Sequence, residues 1–207
     1  LKKRGVPVYI ISAIFRPDQL FFQWFGAPYR KMLYCFTHLF VQDNRSKELL
    51  EQYGIRNVTV YGDTRFDRVL DVRNQARELP EVERFVGKRS LTLIAGSSWP
   101  QDEEILIPYF NEHPEMKLII APHEIHREHL MYIESLLKRP AVRLSDVMQD
   151  KILLEGKDCL IVDSFGLLSS IYRYGTIAYI GGGFGAGIHN TLEAAVYGIP
   201  VLFGPRY

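Results

Sequence analysis

Short apolar runs and longer stretches of helical period alternate along the whole chain. Val6–Ile14 is apolar and β-branched, which predicts a buried strand. Pro17 and Asp18 then open a helical stretch, with proline suited to a first turn. Tyr29–Phe36 reads as a helix and His38–Gln42 as a short strand. Asn44 or Ser46 is placed to cap a helix that runs through Tyr53 and stops at Gly54. Asn57–Tyr61 is a further strand. Residues 68–88 are polar, of helical period, and broken by Pro80.

A second series follows. Strands are expected at Leu91–Ala95, Lys117–Ala121, Asp158–Val162, Thr176–Ile180 and Pro200–Phe203. Helices are expected from Gln101, over His126–Lys138, over Ser164–Tyr174 and from about Asn190. Such alternation predicts an α/β protein of doubly wound parallel sheets with helices on both faces. The organisation expected is a partial N-terminal domain over 1–74, a linker over 75–88 and a second domain over 89–207. Ligands of such sheets bind outside the carboxyl ends of the strands, so the motifs there carry the chemistry.

The richest of them is Gly181-Gly-Gly-Phe-Gly-Ala-Gly-Ile-His-Asn-Thr-Leu-Glu193. Glycines let a backbone approach a ligand, and a helix opening near Asn190 would offer free N–H groups to an anion. A sugar nucleotide suits such a loop. The stretch formally fits G-x-G-x-x-A, but it comes late and no acidic residue follows about 20 positions on. A dinucleotide site is therefore discounted. Asn190 and Glu193 also fit a capping pair, and that role is compatible with a Glu193 carboxylate accepting ribose hydroxyls.

Three other strand ends hold polar groups. Gly96-Ser97-Ser98 precedes an acidic helix start and suits either a cap or an anion. Ala121-Pro-His-Glu-Ile-His-Arg-Glu-His129 has histidines three apart, not in the H-E-x-x-H order, and Pro122 argues against one helix through His123. No metal site is expected; a single His123 donating to an anion is the better reading. In Asp163-Ser-Phe-Gly-Leu-Leu168, Asp163 or Ser164 can cap a helix, and Gly166 suggests close approach to a base edge or tight packing on the sheet.

Composition narrows the class. The chain has 207 residues, 47% of them hydrophobic, and a net charge of +1, so bulk charge gives no case for a nucleic-acid partner. Residues 1–46 hold seven basic side chains against two acidic, together with Phe21, Phe22, Trp24, Phe25 and Tyr29. That mixture suits an anionic lipid surface; a core helix with a solvated basic face is the simpler reading. Two unrelated cysteines and the lack of any run of about 20 apolar residues point to a reduced compartment and no bilayer-spanning segment. The chain starts at Leu1 and ends at Tyr207 just after an apolar run, so both ends are expected to be cuts in a longer protein.

At these motifs the chain resembles the bacterial 3-deoxy-D-manno-octulosonic acid (Kdo) transferases. Ile11-Ser-Ala-Ile-Phe-Arg-Pro-Asp18 resembles N-A-R-L-S-x-R-S, and Val60-Tyr-Gly-Asp-Thr-Arg-Phe-Asp67 resembles V-T-G-N-L-K-F-D. Gly96-Ser-Ser-Trp-Pro-Gln-Asp-Glu-Glu104 resembles G-S-T-H-P-G-E-E, and Ile120-Ala-Pro-His123 resembles A-P-R-H. Val162–Leu168 resembles D-T-M-G-E-L, and the glycine loop through Gly204 resembles G-G-H-N-P-L-E-P-A followed by P-V-L-F-G-P. The resemblance implies a GT-B fold with an acceptor domain and a donor domain. It implies transfer of Kdo from CMP-Kdo to a lipid A precursor (lipid IVA), without cofactor or metal, at the cytoplasmic face of the inner membrane. Donor contacts then fall on Pro122, His123, Phe165, Gly166, Leu167, Asn190, Thr191, Leu192 and Glu193, with Ser97 and Ser98 near the Kdo or phosphate.

Departures carry weight. The family has Arg where His123 stands and Glu where Leu167 stands, and nothing here matches its catalytic Glu motif or its N-terminal membrane anchor. The chain is thus expected to hold the donor site and no catalytic residue. Two other readings of the same loop are a UDP-sugar transferase or 2-epimerase of GT-B type, and a non-catalytic α/β binding module.

Overall fold

The short apolar runs form strands, and every pairing among the described residues is parallel, in a computed structural model that describes residues 1–88, 90–149, 154–185 and 187–207. The chain divides into two compact units, Leu1–Arg68 and Val69–Tyr207, against an expected first domain of 1–74.

The first unit holds β1 (Tyr9–Ala13), α1 (Ala27–Leu33), β2 (His38–Val41), α2 (Asn44–Gln52) and β3 (Val58–Val60), in sheet order β1-β2-β3. Leu39 and Val41 of the central strand are fully buried, with Phe15, Phe22, Leu33, Leu50, Ile55 and Val58 around them. Two local expectations change. The helix expected after Pro17 is only a 3-10 turn at Leu20–Phe22. Arg30 Nη1 takes the Phe21 carbonyl at 2.7 Å, and Gly26 packs so closely on the Leu20 and Phe21 carbonyls that the chain must turn rather than coil on. The cap of α2 is Asp43, whose carboxylate accepts from Ser46 N at 2.6 Å. Ser46 cannot cap because its hydroxyl is buried, accepting from Phe15 N at 2.9 Å and donating to Phe15 O.

In sequence, α3 (Thr64–Asn74) spans the division. The second unit continues with α4 (Pro80–Val86), β4 (Leu91–Ser98), α5 (Pro100–Glu112), β5 (Met116–Pro122), α6 (Arg127–Leu136), β6 (Ala141–Arg143) and α7 (Leu144–Met148). It ends with β7 (Cys159–Ile161), α8 (Leu168–Ile171), β8 (Ile177–Ile180), α9 (Leu192–Ala195) and β9 (Val201–Phe203). The segment 75–88, expected as a linker, carries α4, whose Val82 and Phe85 are buried in the core of this unit. The strand β6 and helix α7 went unread because three and five residues show no period.

The sheet runs β6-β7-β5-β4-β8-β9. Side chains alternate between two cores, as a buried parallel strand requires. Ile94, Ile119 and Leu160 face α4, α7 and α8; Leu93, Ala95, Leu118, Ile120 and Ile161 face α5 and α6. The unit is therefore doubly wound. Strand order runs outward from β4 to β5 and beyond, then returns to β8, so the order reverses between β4 and β8. The crevice outside the carboxyl ends of the strands at such a reversal is the expected ligand position.

Candidate functional site

A cleft of about 410 Å³ lies at the carboxyl ends of β4, β5 and β7, on one side of that reversal. Ser97 comes from the end of β4, Pro122 and His123 from the end of β5, Ser164, Phe165 and Gly166 from the turn after β7, and Glu193 from α9. A larger cavity of about 840 Å³ in the first unit is lined mainly by apolar side chains such as Ile10, Phe21, Met32 and Phe36. Lys2, Lys3 and Gln19 also reach the larger cavity, but of the two only the smaller gathers serine, histidine and glutamate side chains at strand ends, which makes it the better place for chemistry.

Each wall has a local cause. Ser97 has φ 52°, a left-handed conformation rare for a residue with a Cβ, and the β4–β5 pairing shifts register between Gly96 and Ser98. The backbone is thereby turned so that Ser97 lines the cleft while Ser98 is fully buried, donating to Glu103 Oε1 at 2.8 Å. Ser98 supports the site from behind and does not line it. His123 N donates to Ser98 O at 2.9 Å, which ties the ends of β4 and β5 together. Asp163 caps α7 rather than its own helix: its carboxylate accepts from Ser145 N at 3.0 Å and from the Ser145 hydroxyl. Gly166 has φ 78°, so the turn after β7 needs glycine, and α8 starts only at Leu168. Phe165 is left 77% exposed, a free aromatic face beside the cleft. Leu167 is buried in the core and Leu168 lines the cleft in its place.

The glycine loop is fixed by contact. A Cβ on Gly181 would collide with the Ser97 carbonyl, and one on Gly183 would lie 2.5 Å from Gly204 N. Ala186 of the expected loop lies outside the described residues. The helix after the loop, α9, has four residues, too short to offer the N-terminal anion site expected from the sequence. Asn190 and Glu193 do pair, but by side chains: Asn190 Nδ2 donates to Glu193 Oε1 at 3.1 Å, and Asn190 Oδ1 accepts from Leu192 N at 3.1 Å. Glu193 lines the cleft; Asn190, Thr191 and Leu192 flank it in sequence without lining it.

Three aromatic groups stand together at this end of the sheet. His123 stacks on Trp99 and on His189, each at 4.6 Å between centroids, and Trp99 Nε1 donates to His189 Nε2 at 3.4 Å. Burial, and then the neighbouring His123, push the His189 imidazole below its usual range, so it is held neutral. Behind the cleft Glu103, itself pushed up by burial, accepts from Ser98 and pairs with His129 Nε2 at 2.8 Å. Sequence alone does not single out Trp99 and His189 as site residues and offers Ser164 only as a possible cap; the signal for each is its place inside a strand-end motif. Among the described residues no group of three metal-ligating side chains gathers.

Comparison with known proteins identifies relatives. Residues 1–68 match the family model described as 3-deoxy-D-manno-octulosonic-acid transferase (kdotransferase). The 3-deoxy-D-manno-octulosonic acid transferase of Rickettsia felis is 28% identical over 194 residues, covering 91% of this chain and 41% of that protein. That of Chlamydophila psittaci is 28% identical over 172 residues, 80% of this chain and 39% of the relative. That of Aquifex aeolicus is 36% identical over 118 residues, 55% of this chain and 31% of the relative. A crystal structure of the C-terminal CMP-Kdo binding domain of WaaA from Acinetobacter baumannii aligns with TM-score 0.49 and 25% identity, over 69% of this chain and 71% of that one. The chain spans about two fifths of the length of these Rickettsia and Chlamydophila relatives. The chain is thus similar in sequence to proteins named 3-deoxy-D-manno-octulosonic acid transferases, the family its motifs resemble.

Proposed function

We propose that this chain is the donor-binding part of a glycosyltransferase that moves Kdo from CMP-Kdo to a lipid A precursor. The observation that carries the reading is the convergence of Ser97, His123, Phe165, Gly166 and Glu193 on one cleft, at three strand ends of a doubly wound sheet and the helix α9. Its kinship with proteins named Kdo transferases supports the same reading. In this proposal the exposed Phe165 ring and the Gly166 backbone receive the cytosine, and Glu193, steadied by Asn190, accepts the ribose hydroxyls. His123 and Ser97 face the phosphate and Kdo.

The reaction is read as inverting transfer without a metal ion. An acceptor hydroxyl loses its proton to a carboxylate base and attacks the anomeric carbon of Kdo. The bond to phosphate breaks, and CMP leaves with the electron pair. None of these 207 residues matches the family's base motif, so the chain by itself is expected to bind donor and not turn it over. Turnover of CMP-Kdo by the isolated chain would refute that.

Calorimetry tests the site. CMP should bind in preference to UMP and UDP, and Glu193→Ala should weaken CMP by about tenfold, the worth of one charge-assisted hydrogen bond. Absence of CMP binding to the wild type would overturn the nucleotide reading.

The first unit supports a second part of the proposal, peripheral contact with the cytoplasmic face of the inner membrane. Trp24 is 92% exposed, and Leu20, Phe25 and Tyr29 are exposed near Arg30 and Lys31. Phe22 is buried and takes no part. Flotation with anionic liposomes should be lost in Trp24→Asp plus Phe25→Asp; unchanged flotation sinks the idea.

A further inference from the structure

Asp102 does not line the cleft, yet it joins the chain at the end of β4, where Ser97 lines it, to the glycine loop that leads on toward Glu193. It is the third residue of α5 and its side chain is fully buried. Its Oδ2 accepts from Trp99 N at 2.9 Å and from Gly182 N at 2.9 Å, and its Oδ1 accepts from Tyr179 Oη at 2.6 Å. The bond to Trp99 is an ordinary helix cap, for which an exposed carboxylate would serve. The other two reach 77 and 80 residues along the chain, to the neighbouring strand β8 and the glycine loop that follows it.

We propose that Asp102 is a positioning residue for the cleft, fastening the glycine loop to the turn that presents Ser97. One oxygen shared by two backbone N–H groups fixes the spacing between the end of β4 and the start of the loop. Gly181, pressed against the Ser97 carbonyl, fixes the same contact from a second direction. A buried carboxylate makes hydrogen bonds stronger than neutral ones, and its low-dielectric surroundings strengthen them further. Burial, and then the Asp102 carboxylate, push the Tyr179 hydroxyl upward, so it remains a donor at physiological pH. The loop leads directly to His189 and Glu193, so its placement sets where Glu193 stands across from Ser97. This inference rests on the nucleotide reading of the cleft and adds to it the group that preorganises it.

The test uses the 207-residue chain with CMP as probe. Asp102→Ala should weaken CMP by about tenfold or more, since it frees both backbone donors. Asp102→Asn should bind within about threefold of wild type: its amide oxygen can take both backbone bonds, and its amide N–H can donate to Tyr179 once that hydroxyl rotates. Ile107→Ala, in the core behind the sheet, should lose stability and keep its CMP affinity within about threefold. Unchanged CMP affinity in Asp102→Ala, or affinity that merely follows stability across the three variants, overturns the proposal. Amide exchange gives a readout that needs no ligand. The Gly182 N–H should exchange as slowly as Gly181 N–H, which donates to Gly96 O. It should become about a hundredfold faster in Asp102→Ala, with β5 amides unchanged. If wild type binds no CMP, the nucleotide reading falls, and Gly182 exchange decides the positioning role by itself. If Asp102→Ala does not fold, fast exchange at Gly182 in the wild type is the result that overturns it.

Discussion

The imidazoles of His123 and His189 lie 4.6 Å apart with 25° between their planes. Two stacked imidazoles so close cannot both carry charge without mutual repulsion. Burial and His123 both favour neutral His189, and the Trp99 indole N–H needs the Nε2 lone pair free. The unfolded chain, by contrast, binds a proton at this residue near the ordinary histidine value of about 6.5. The unfolded state therefore takes up more protons than the native state as pH falls, and stability rises with pH across that window. Denaturant midpoints should fall as pH drops below about 6.5, and His189→Gln should flatten that slope. An identical slope in the variant would remove His189 as the cause.

Glu103 tests the support behind the cleft. Its carboxylate is the partner of both Ser98 and His129, with no exposure to water. Glu103→Ala should cost about 3 kcal/mol in chemical denaturation, because it strands two buried polar groups. Glu103→Gln should cost distinctly less, since burial already disfavours the charged form.

Gly181 and Gly185 should part company. A methyl group at Gly181 meets the Ser97 carbonyl and the backbone of Ser98, whereas one at Gly185 meets nothing within 4 Å. Gly181→Ala is expected to destabilise by about 2 kcal/mol or more and to abolish CMP binding, from overpacking against rigid backbone. Gly185→Ala should leave thermal midpoint and affinity close to wild type. Equal effects would show that the loop is not held as described.

Ser97 holds strain in a cleft wall. Its φ of 52° costs a residue with a Cβ about 1 kcal/mol. Ser97→Gly should therefore raise stability by a few tenths to about 1 kcal/mol, the relief being partly offset by the entropy of glycine in the unfolded chain. CMP-Kdo affinity should fall at the same time. A gain in stability with unchanged donor affinity would assign Ser97 a purely structural part.

The order of strands and helices was legible because the physical signal is local. Leu93 and Ala95 face one core and Ile94 the other, so β4 reads as a continuous apolar run, and α6 keeps its apolar face toward the same core as β4 and β5. The motifs at the strand ends, and with them the sequence similarity to proteins named Kdo transferases, were legible for the same reason. Tertiary structure decided which residues of those motifs reach the cleft. Ser97 and Ser98 are neighbours of the same type, and only the register shift and left-handed turn beside Gly96 send one to the cleft and the other to Glu103. Asp102 reads in sequence as one residue of an acidic helix start; its bonds to Tyr179 and Gly182 exist because parallel pairing sets β8 beside β4. Periodicity records what each residue does to its nearest neighbours in the chain. Which backbone N–H finds which carboxylate, dozens of residues away, is settled only when the strands are laid side by side.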